Sequence, residues 1–198
     1  DISSSYLNQE AKKVASEFPW LHVHAVCADF TAPIDLPYAP DGPHRVAFFP
    51  GSSVGNFEPE DAVAFLTNVA VMVQQGGGLL IGVDLKKDPA MLNAAYNETQ
   101  GVTAAFNLNL LTRINRDLGA NFDVSKFHHN AFYNKAAGRV EMHLISKESQ
   151  QRVDINGQCF DFNEGESIHT ECSYKYTVKE FQELAKRAGF SPVQVWTD

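Results

Sequence analysis

The chain has 198 residues, 44% of them apolar, enough for one ordinary domain with its own core. Its 16 basic residues face 24 acidic ones, a formal net charge of −8 with no basic run, which argues against a nucleic-acid groove or an anionic membrane surface as partner. No apolar run approaches the roughly 18–20 residues of a bilayer-spanning helix, nothing at the start resembles a secretory leader, and Cys27, Cys159 and Cys172 are widely spaced without a CxxC pair, as expected of reduced thiols in a cytoplasmic protein.

Residues 3–18 read as a helix: Ser3 to Ser5 offer caps, and Tyr6, Leu7, Ala11, Val14, Ala15 and Phe18 recur at helical spacing before Pro19 stops it. Leu21 to Cys27 reads as a strand, with Ala28-Asp29-Phe30 at its carboxyl end. Residues 31–44, carrying Pro33, Pro37, Pro40 and Pro43, read as a rigid irregular connection. Val46–Phe49 is a short apolar strand that breaks at Pro50-Gly51 into a small polar loop, Gly51-Ser52-Ser53-Val54-Gly55-Asn56-Phe57. A helix over about 58–75 puts Ala62, Phe65, Leu66, Val69, Met72 and Val73 on one face. Gly76-Gly77-Gly78 ends it and releases Leu79 to Val83, a continuous apolar run expected of a strand covered on both faces. Pro89 opens a helix carrying Met91, Leu92, Ala95 and Tyr96, and a second helical segment covers 101–118. This alternation predicts an α/β, doubly wound core over residues 1–122.

The chain then changes character. Phe127–Tyr133, Arg139–Ser146, Gln151–Ile155 and Glu166–Tyr176 read as strands, with a strong hairpin signal at Asn156-Gly157. We therefore expect an antiparallel section over 123–176, attached to the core without a linker. Over 177–198, a helix from Val178 to Ala188 and a strand from Val193 to Trp196 are expected to return to that core.

Several residue sets could carry chemistry. In open α/β sheets ligands sit at the carboxyl edge, where the glycines of the 51–56 loop permit close backbone approach and Asn56 and the serines offer donors and acceptors. The same residues equally describe an ordinary strand-to-helix turn. Asp1, Asp29 and Asp84 sit at or beside predicted strand ends, where an acid can accept from ribose hydroxyls or simply cap a helix. Glu171 and Ser173 lie two apart on a strand and share a face; a carboxylate and a hydroxyl together can pair both nitrogens of a planar heterocycle, although a solvent-facing strand edge has the same pattern. Tyr96 is either an aromatic hydroxyl aimed at a ligand or core packing with a satisfied OH. No pair among the seven histidines has metal-ligand spacing, and no GxSxG elbow supports hydrolase chemistry.

Five stretches in order, Phe49-Pro50-Gly51-Ser52-Ser53-Val54-Gly55-Asn56-Phe57, Asp84-Leu85-Lys86-Lys87-Asp88, Tyr96 with Gly101-Val102-Thr103-Ala104-Ala105-Phe106-Asn107, Thr170-Glu171-Cys172-Ser173-Tyr174-Lys175 and Trp196-Thr197-Asp198, resemble the histidine Nα-methyltransferases of ergothioneine biosynthesis. The resemblance covers essentially the whole chain. It implies a Rossmann-like class I methyltransferase fold with an added antiparallel substrate-binding section. It also implies S-adenosylmethionine as cofactor, L-histidine as small-molecule substrate, three methylations of its α-amino group to give hercynine, and a monomeric complete enzyme. Carried over residue by residue, Asp1 would hold the cofactor ribose, Asp29 and Phe30 the adenine, and Gly51 would lie where cofactor and substrate meet. Asn56 and Tyr96 would fix the α-carboxylate and amine region with support from Thr103, while Glu171 and Ser173 would bind the imidazole and Met142 would line its pocket. Family members carry a glycine-rich cofactor loop in a preceding stretch, and this chain opens directly on Asp1-Ile2-Ser3. It is therefore expected to represent roughly the C-terminal two-thirds of such an enzyme, with its first βα unit missing. Two rivals stand beside this expectation: a methyltransferase for another small amine, and a binding module of the same fold without activity of its own.

Overall fold

A computed structural model describes residues 1–34, 36 and 45–197. Most of the expected connection over 31–44, and Asp198 of the last motif, lie outside the described residues. The architecture is α/β, with helices and strands alternating early and an antiparallel sheet later. The chain divides into two compact units, one of Asp1–Phe49, Pro59–Leu80 and Glu183–Asp198, the other of Pro50–Glu58 and Ile81–Gln182.

In the first unit, α1 (Ser4–Glu17) begins where the Ser3 Oγ accepts from the Tyr6 N–H at 3.4 Å, one of the amides a helix start leaves unpaired. Strand β1 (Val46–Phe49) pairs with β2 (Gly78–Ile81) in a two-stranded sheet. Helix α2 (Pro59–Val73) buries Ala62, Phe65, Leu66, Val69 and Val73, five of the six residues of the stripe its spacing predicted, with Met72 half-buried. The Phe65 ring lies 4.9 Å from Phe49 and 6.1 Å from Phe30, within the range of favourable aromatic pairs.

Three sequence expectations need correction here. Leu21–Cys27 forms no strand; just past it the Ala28 N–H donates to the Asp1 carbonyl at 3.1 Å, but an apolar pattern makes a strand only against a partner ladder. The same holds for Val193–Trp196, where Val193 is 93% exposed. Nor is the β1–β2 sheet covered on both faces, since Val46, Phe48 and Leu80 are all exposed.

In the second unit, α3 (Pro89–Tyr96) starts on Asp88, whose carboxylate accepts from the Ala90 N–H at 2.8 Å, with Pro89 in the first turn. Helix α4 (Val102–Leu118) is bounded by Gly101 and Gly119, both left-handed. Strands β3 (Phe127–Asn134), β4 (Arg139–Ser146) and β7 (Ser167–Tyr174) form an antiparallel sheet in the order β3-β4-β7. Strands β5 (Gln151–Ile155) and β6 (Gln158–Phe162) form a separate hairpin. Its turn is Asn156-Gly157, both at positive φ (52° and 83°), as the dipeptide predicts. The core beneath is Leu111, Phe122, Phe127, Leu144 and Val153.

Side-chain amides tie α3 to the free edge of β3. The Asn93 Oδ1 accepts from the Tyr133 N–H at 2.7 Å, and Asn97 accepts from the Ala131 N–H at 3.1 Å while donating to its carbonyl at 2.8 Å. These bonds take the place of a ladder neighbour and satisfy an edge that would otherwise be open. They also fix Tyr96, at the end of α3, against the sheet. Helix α5 (Val178–Arg187) follows β7.

Candidate functional site

Alternation along β7 puts Glu171 and Ser173 on one face, and they sit opposite Met142 and Val140 of β4. Lys175, two residues further on, continues that parity just past the strand, and its N–H donates to the Gly138 carbonyl at 2.9 Å. A parallel bridge between Leu85 and Tyr176, with the Tyr176 N–H on the Asp84 carbonyl at 3.2 Å, brings Asp84 alongside.

Lys175 is 2% exposed, and a buried ammonium is tolerated only when paired and hydrogen-bonded. All three of its protons are used: on Asp84 Oδ2 at 2.9 Å, on the Tyr96 hydroxyl at 2.8 Å and on Ser173 Oγ at 2.8 Å. The Tyr96 hydroxyl in turn donates to Ser173 Oγ at 3.0 Å. Both lone pairs of the Ser173 oxygen are therefore occupied, and its own proton is left as a donor. Two residues away, Glu171 is half-buried. Burial pushes its carboxyl above the ordinary value, opposed by the Lys175 charge and a hydrogen bond from Asn56. Burial also pushes the Asp84 carboxyl up, but Lys175 and then Lys87 outweigh it and hold it below its usual value. One strand face thus offers a poised donor beside an anionic acceptor.

Asn56 reaches Glu171 because the 51–56 loop packs directly on β7. Gly51 (φ 81°) and Ser52 (φ 60°) are left-handed, and Ser53–Asn56 closes as a single 3-10 turn. A Cβ on Gly55 would meet the Tyr174 carbonyl at 2.7 Å, and one on Gly82 the Gly51 N at 2.9 Å, so both approaches require glycine. Gly55→Ala is expected to destabilise the protein by about 1–3 kcal/mol through overpacking against rigid backbone. Denaturant unfolding would measure this as a lower midpoint at unchanged m-value.

The structure thus brings Asn56, Tyr96, Met142, Glu171 and Ser173 together. Met142 is buried with Leu92, Ala131 and Val140, against Tyr96 and Tyr133. Tyr96 has a further brace: His129 Nε2 lies 2.8 Å from the Tyr96 carbonyl, and the Asn107 amide lies 2.9 Å from His129 Nδ1. Those distances fix the tautomer with the proton on Nε2, donating to Tyr96, and Nδ1 accepting from Asn107. Thr103 is engaged elsewhere, its N–H donating to Glu98 Oε1 at 2.6 Å. Asp1, Asp29 and Phe30 belong to the first unit. There Asp1 Oδ1 accepts from the Ser3 N–H at 2.7 Å, Asp29 Oδ1 from the Thr31 N–H at 2.9 Å and hydroxyl at 2.7 Å, and Phe30 is edge-on to Phe49 at 5.7 Å. Sequence reasoning missed Lys175 and its pairing with Asp84. The signal was present, since Lys175 extends the two-residue spacing of Glu171 and Ser173, whereas a bridge over 90 positions of chain is invisible to spacing.

Comparison with known proteins adds an independent line. The sequence model of the family described as histidine-specific, SAM-dependent methyltransferases matches residues 1–198. The chain is similar to the histidine N-alpha-methyltransferase of Mycobacterium tuberculosis, 38% identical over 200 residues, covering 100% of this chain and 61% of that protein. It is 30% identical over 161 residues to ergothioneine biosynthesis protein 1 of Neurospora crassa (74% of this chain, 17% of that protein). It is also 30% identical over 182 residues to the 4-dimethylallyltryptophan N-methyltransferase easF of Claviceps purpurea (83% and 52%). The chain spans 61% of the length of the mycobacterial relative.

Proposed function

Because the chain belongs to the histidine-specific, SAM-dependent methyltransferase family, we propose that the protein carrying it methylates the α-amino group of L-histidine, three times, to give hercynine for ergothioneine biosynthesis. The observation that carries this reading is the Ser173 donor beside the Glu171 acceptor on one strand face. A neutral imidazole has one N–H and one bare nitrogen, and this pair satisfies both. A site so built rejects side chains that leave its polar groups unpaired.

The remaining residues suit the other end of the substrate. The Tyr96 oxygen accepts from Lys175 and donates to Ser173, which leaves one lone pair to accept from an amine. Asn56, whose side chain acts on the Glu171 carboxyl, carries amide protons that suit an α-carboxylate. S-adenosylmethionine would supply the methyl group as an electrophile. This chain has residues that fit it: Asp1 and Asp29 each keep carboxylate lone pairs beyond the bonds named above, for ribose and adenine respectively, and the part-exposed Phe30 supplies an aromatic ring for adenine. At Gly51 an added Cβ would meet nothing within 4 Å, so the backbone there is open to a bound group. The Rossmann-like arrangement of the core, its division at residues 122 and 176, Thr103 as a supporting residue, and a cytoplasmic, monomeric enzyme are parts of the same proposal. No helix among the described residues is long and apolar enough to cross a membrane.

The work of these residues is alignment. Holding the neutral amine in line with the transferred methyl can contribute roughly 7–11 kcal/mol by removing translational and rotational freedom before reaction. Glu171 is committed to the ring, so the amine proton leaves to water. A relative named for 4-dimethylallyltryptophan makes another amino acid the alternative substrate. Incubation of the full-length protein with S-adenosylmethionine and equimolar L-histidine and L-tryptophan, followed by mass spectrometry, separates the two. Products of histidine carrying one to three added methyl groups, with tryptophan unmodified, support the proposal. Methylated tryptophan alone, or no product, overturns it.

A further inference from the structure

The face of the β3-β4-β7 sheet opposite Glu171 and Ser173 carries a second cluster of chemically competent side chains. Along β4, Glu141 and His143 share that face, and across the ladder they are paired with Cys172 and His169. Residues 169 and 172 are three apart, and in a regular strand they would point to opposite faces. A β-bulge prevents this. Met142 pairs with Glu171 but His143 pairs with His169, so Thr170 is the extra residue, and its hydroxyl bonds the Met142 carbonyl at 3.0 Å. The bulge turns His169 onto the face of Cys172. Bulges often re-aim a side chain in this way.

We propose that Glu141, His143, His169 and the Cys172 thiolate form a binding site for a zinc-like divalent transition-metal ion. One ligand atom from each of Glu141, His143 and His169 lies within 4.8 Å of the others. Cys172 Sγ is 3.3 Å from His169 Nε2, and Glu141 Oε2 is 3.4 Å from His143 Nε2. A tetrahedral ion with bonds of about 2.0–2.3 Å spaces its ligands by about 3.3–3.8 Å. Those two pairs already lie at about that spacing, while Cys172 Sγ stands outside the Glu141, His143 and His169 group and must move toward it to bind the same ion. The two imidazoles are stacked, near parallel at 4.5 Å, with Phe132 behind His143 at 5.4 Å. An ion lies in the plane of each ring that binds it, so the exposed His169 ring must turn out of the stack and release its Nε2 contact with the Glu171 carbonyl (3.2 Å) to share an ion with His143. The groups behind the ligands are in place as well. Ser167 Oγ lies 3.3 Å from His143 Nδ1, and the Arg139 Nε (2.9 Å) and Asn134 amide (3.1 Å) both donate to Glu141 Oε1, which leaves Oε2 toward the histidines. Such outer contacts orient metal ligands. Two imidazoles, a thiolate and a carboxylate favour zinc, cobalt or copper over magnesium or calcium. Arg139 opposes a cation, and the negative charge gained when the thiol releases its proton to solvent offsets this. Chain spacing hides the site, since its ligands come from two strands and one face exists only through the bulge. A bound ion would clip β7 to β4 behind the residues proposed to hold the substrate ring.

The test is titration of the full-length protein, stripped with chelator, with Co²⁺ followed by absorbance and with Zn²⁺ against a chromophoric competitor. One equivalent should bind, with visible bands of tetrahedral cobalt and a near-ultraviolet sulfur-to-metal band that disappears in Cys172→Ser. His143→Ala and His169→Ala should each weaken affinity by at least about tenfold. His169 is exposed, so its replacement leaves the fold intact. In a second readout Zn²⁺ should raise the Tm of the wild-type protein and not that of His169→Ala. No saturable binding, affinity unchanged in both histidine variants, or a sulfur band that survives Cys172→Ser would overturn the assignment.

Discussion

Lys175→Met is expected to lower the unfolding free energy by about 3 kcal/mol and to raise the KM for histidine together with it. The ammonium is 1% exposed and its partner Asp84 is 28% exposed, so the substitution strands a carboxylate that water reaches only in part. Lys87, 3.3 Å from Asp84, offsets some of that loss and keeps the cost at the low end of the usual range for a broken buried pair. The Tyr96 hydroxyl and Ser173 Oγ lose a donor at the same time, and Ser173 is then no longer restricted to donating. The complementary Asp84→Asn leaves the buried ammonium without its counter-charge and should cost as much or more. In the double variant the two losses should fall short of their sum by about 1–3 kcal/mol, the coupling expected of residues in direct contact. Denaturant unfolding of the four proteins measures it, and additive losses would dissolve the network. The acid limb carries a sign as well. Asp84 is held below its ordinary value in the folded chain, so the stability it contributes is complete above the unfolded value of about 3.9. It is lost as pH falls through the folded value. The gap in stability between wild type and Asp84→Asn should therefore close below about pH 4.

Glu171→Ala is expected to raise the KM for L-histidine about 10- to 150-fold, the equivalent of a hydrogen bond to a charged group worth roughly 1.5–3 kcal/mol. Effects on kcat should be smaller. In the proposed binding mode the ring would be held alike before and during methyl transfer, and interactions of that kind govern binding more than the chemical step. Steady-state kinetics at saturating S-adenosylmethionine gives both parameters. An unchanged KM would remove Glu171 from the ring, and with it the reason for preferring histidine over other amino acids.

Much of this architecture was legible in the sequence because the dominant signals were local. The spacing of Ala62, Phe65, Leu66, Val69 and Val73 marks α2, and Asn156-Gly157 marks the β5–β6 turn. The sequence failed wherever an element depends on what lies beside it. Leu21–Cys27 and Val193–Trp196 have strand-like composition and no ladder, while β6, largely exposed, has no burial alternation to read. The candidate site divides in the same way. Glu171 and Ser173 announce themselves at two-residue spacing. The state of Ser173 as a donor depends on Lys175, Tyr96 and Asp84, which three separate segments bring together, and no periodicity encodes that meeting.

The central claim is that the strand face of Glu171, Ser173 and Lys175 selects an imidazole. Calorimetric titration of the full-length protein with L-histidine, with and without S-adenosylhomocysteine, and then with L-phenylalanine, addresses it most directly. Saturable histidine binding that strengthens with the nucleoside product, weakens at least about tenfold in Glu171→Ala and exceeds phenylalanine binding by at least about tenfold is the predicted result. Equal affinity for the two amino acids would contradict the account.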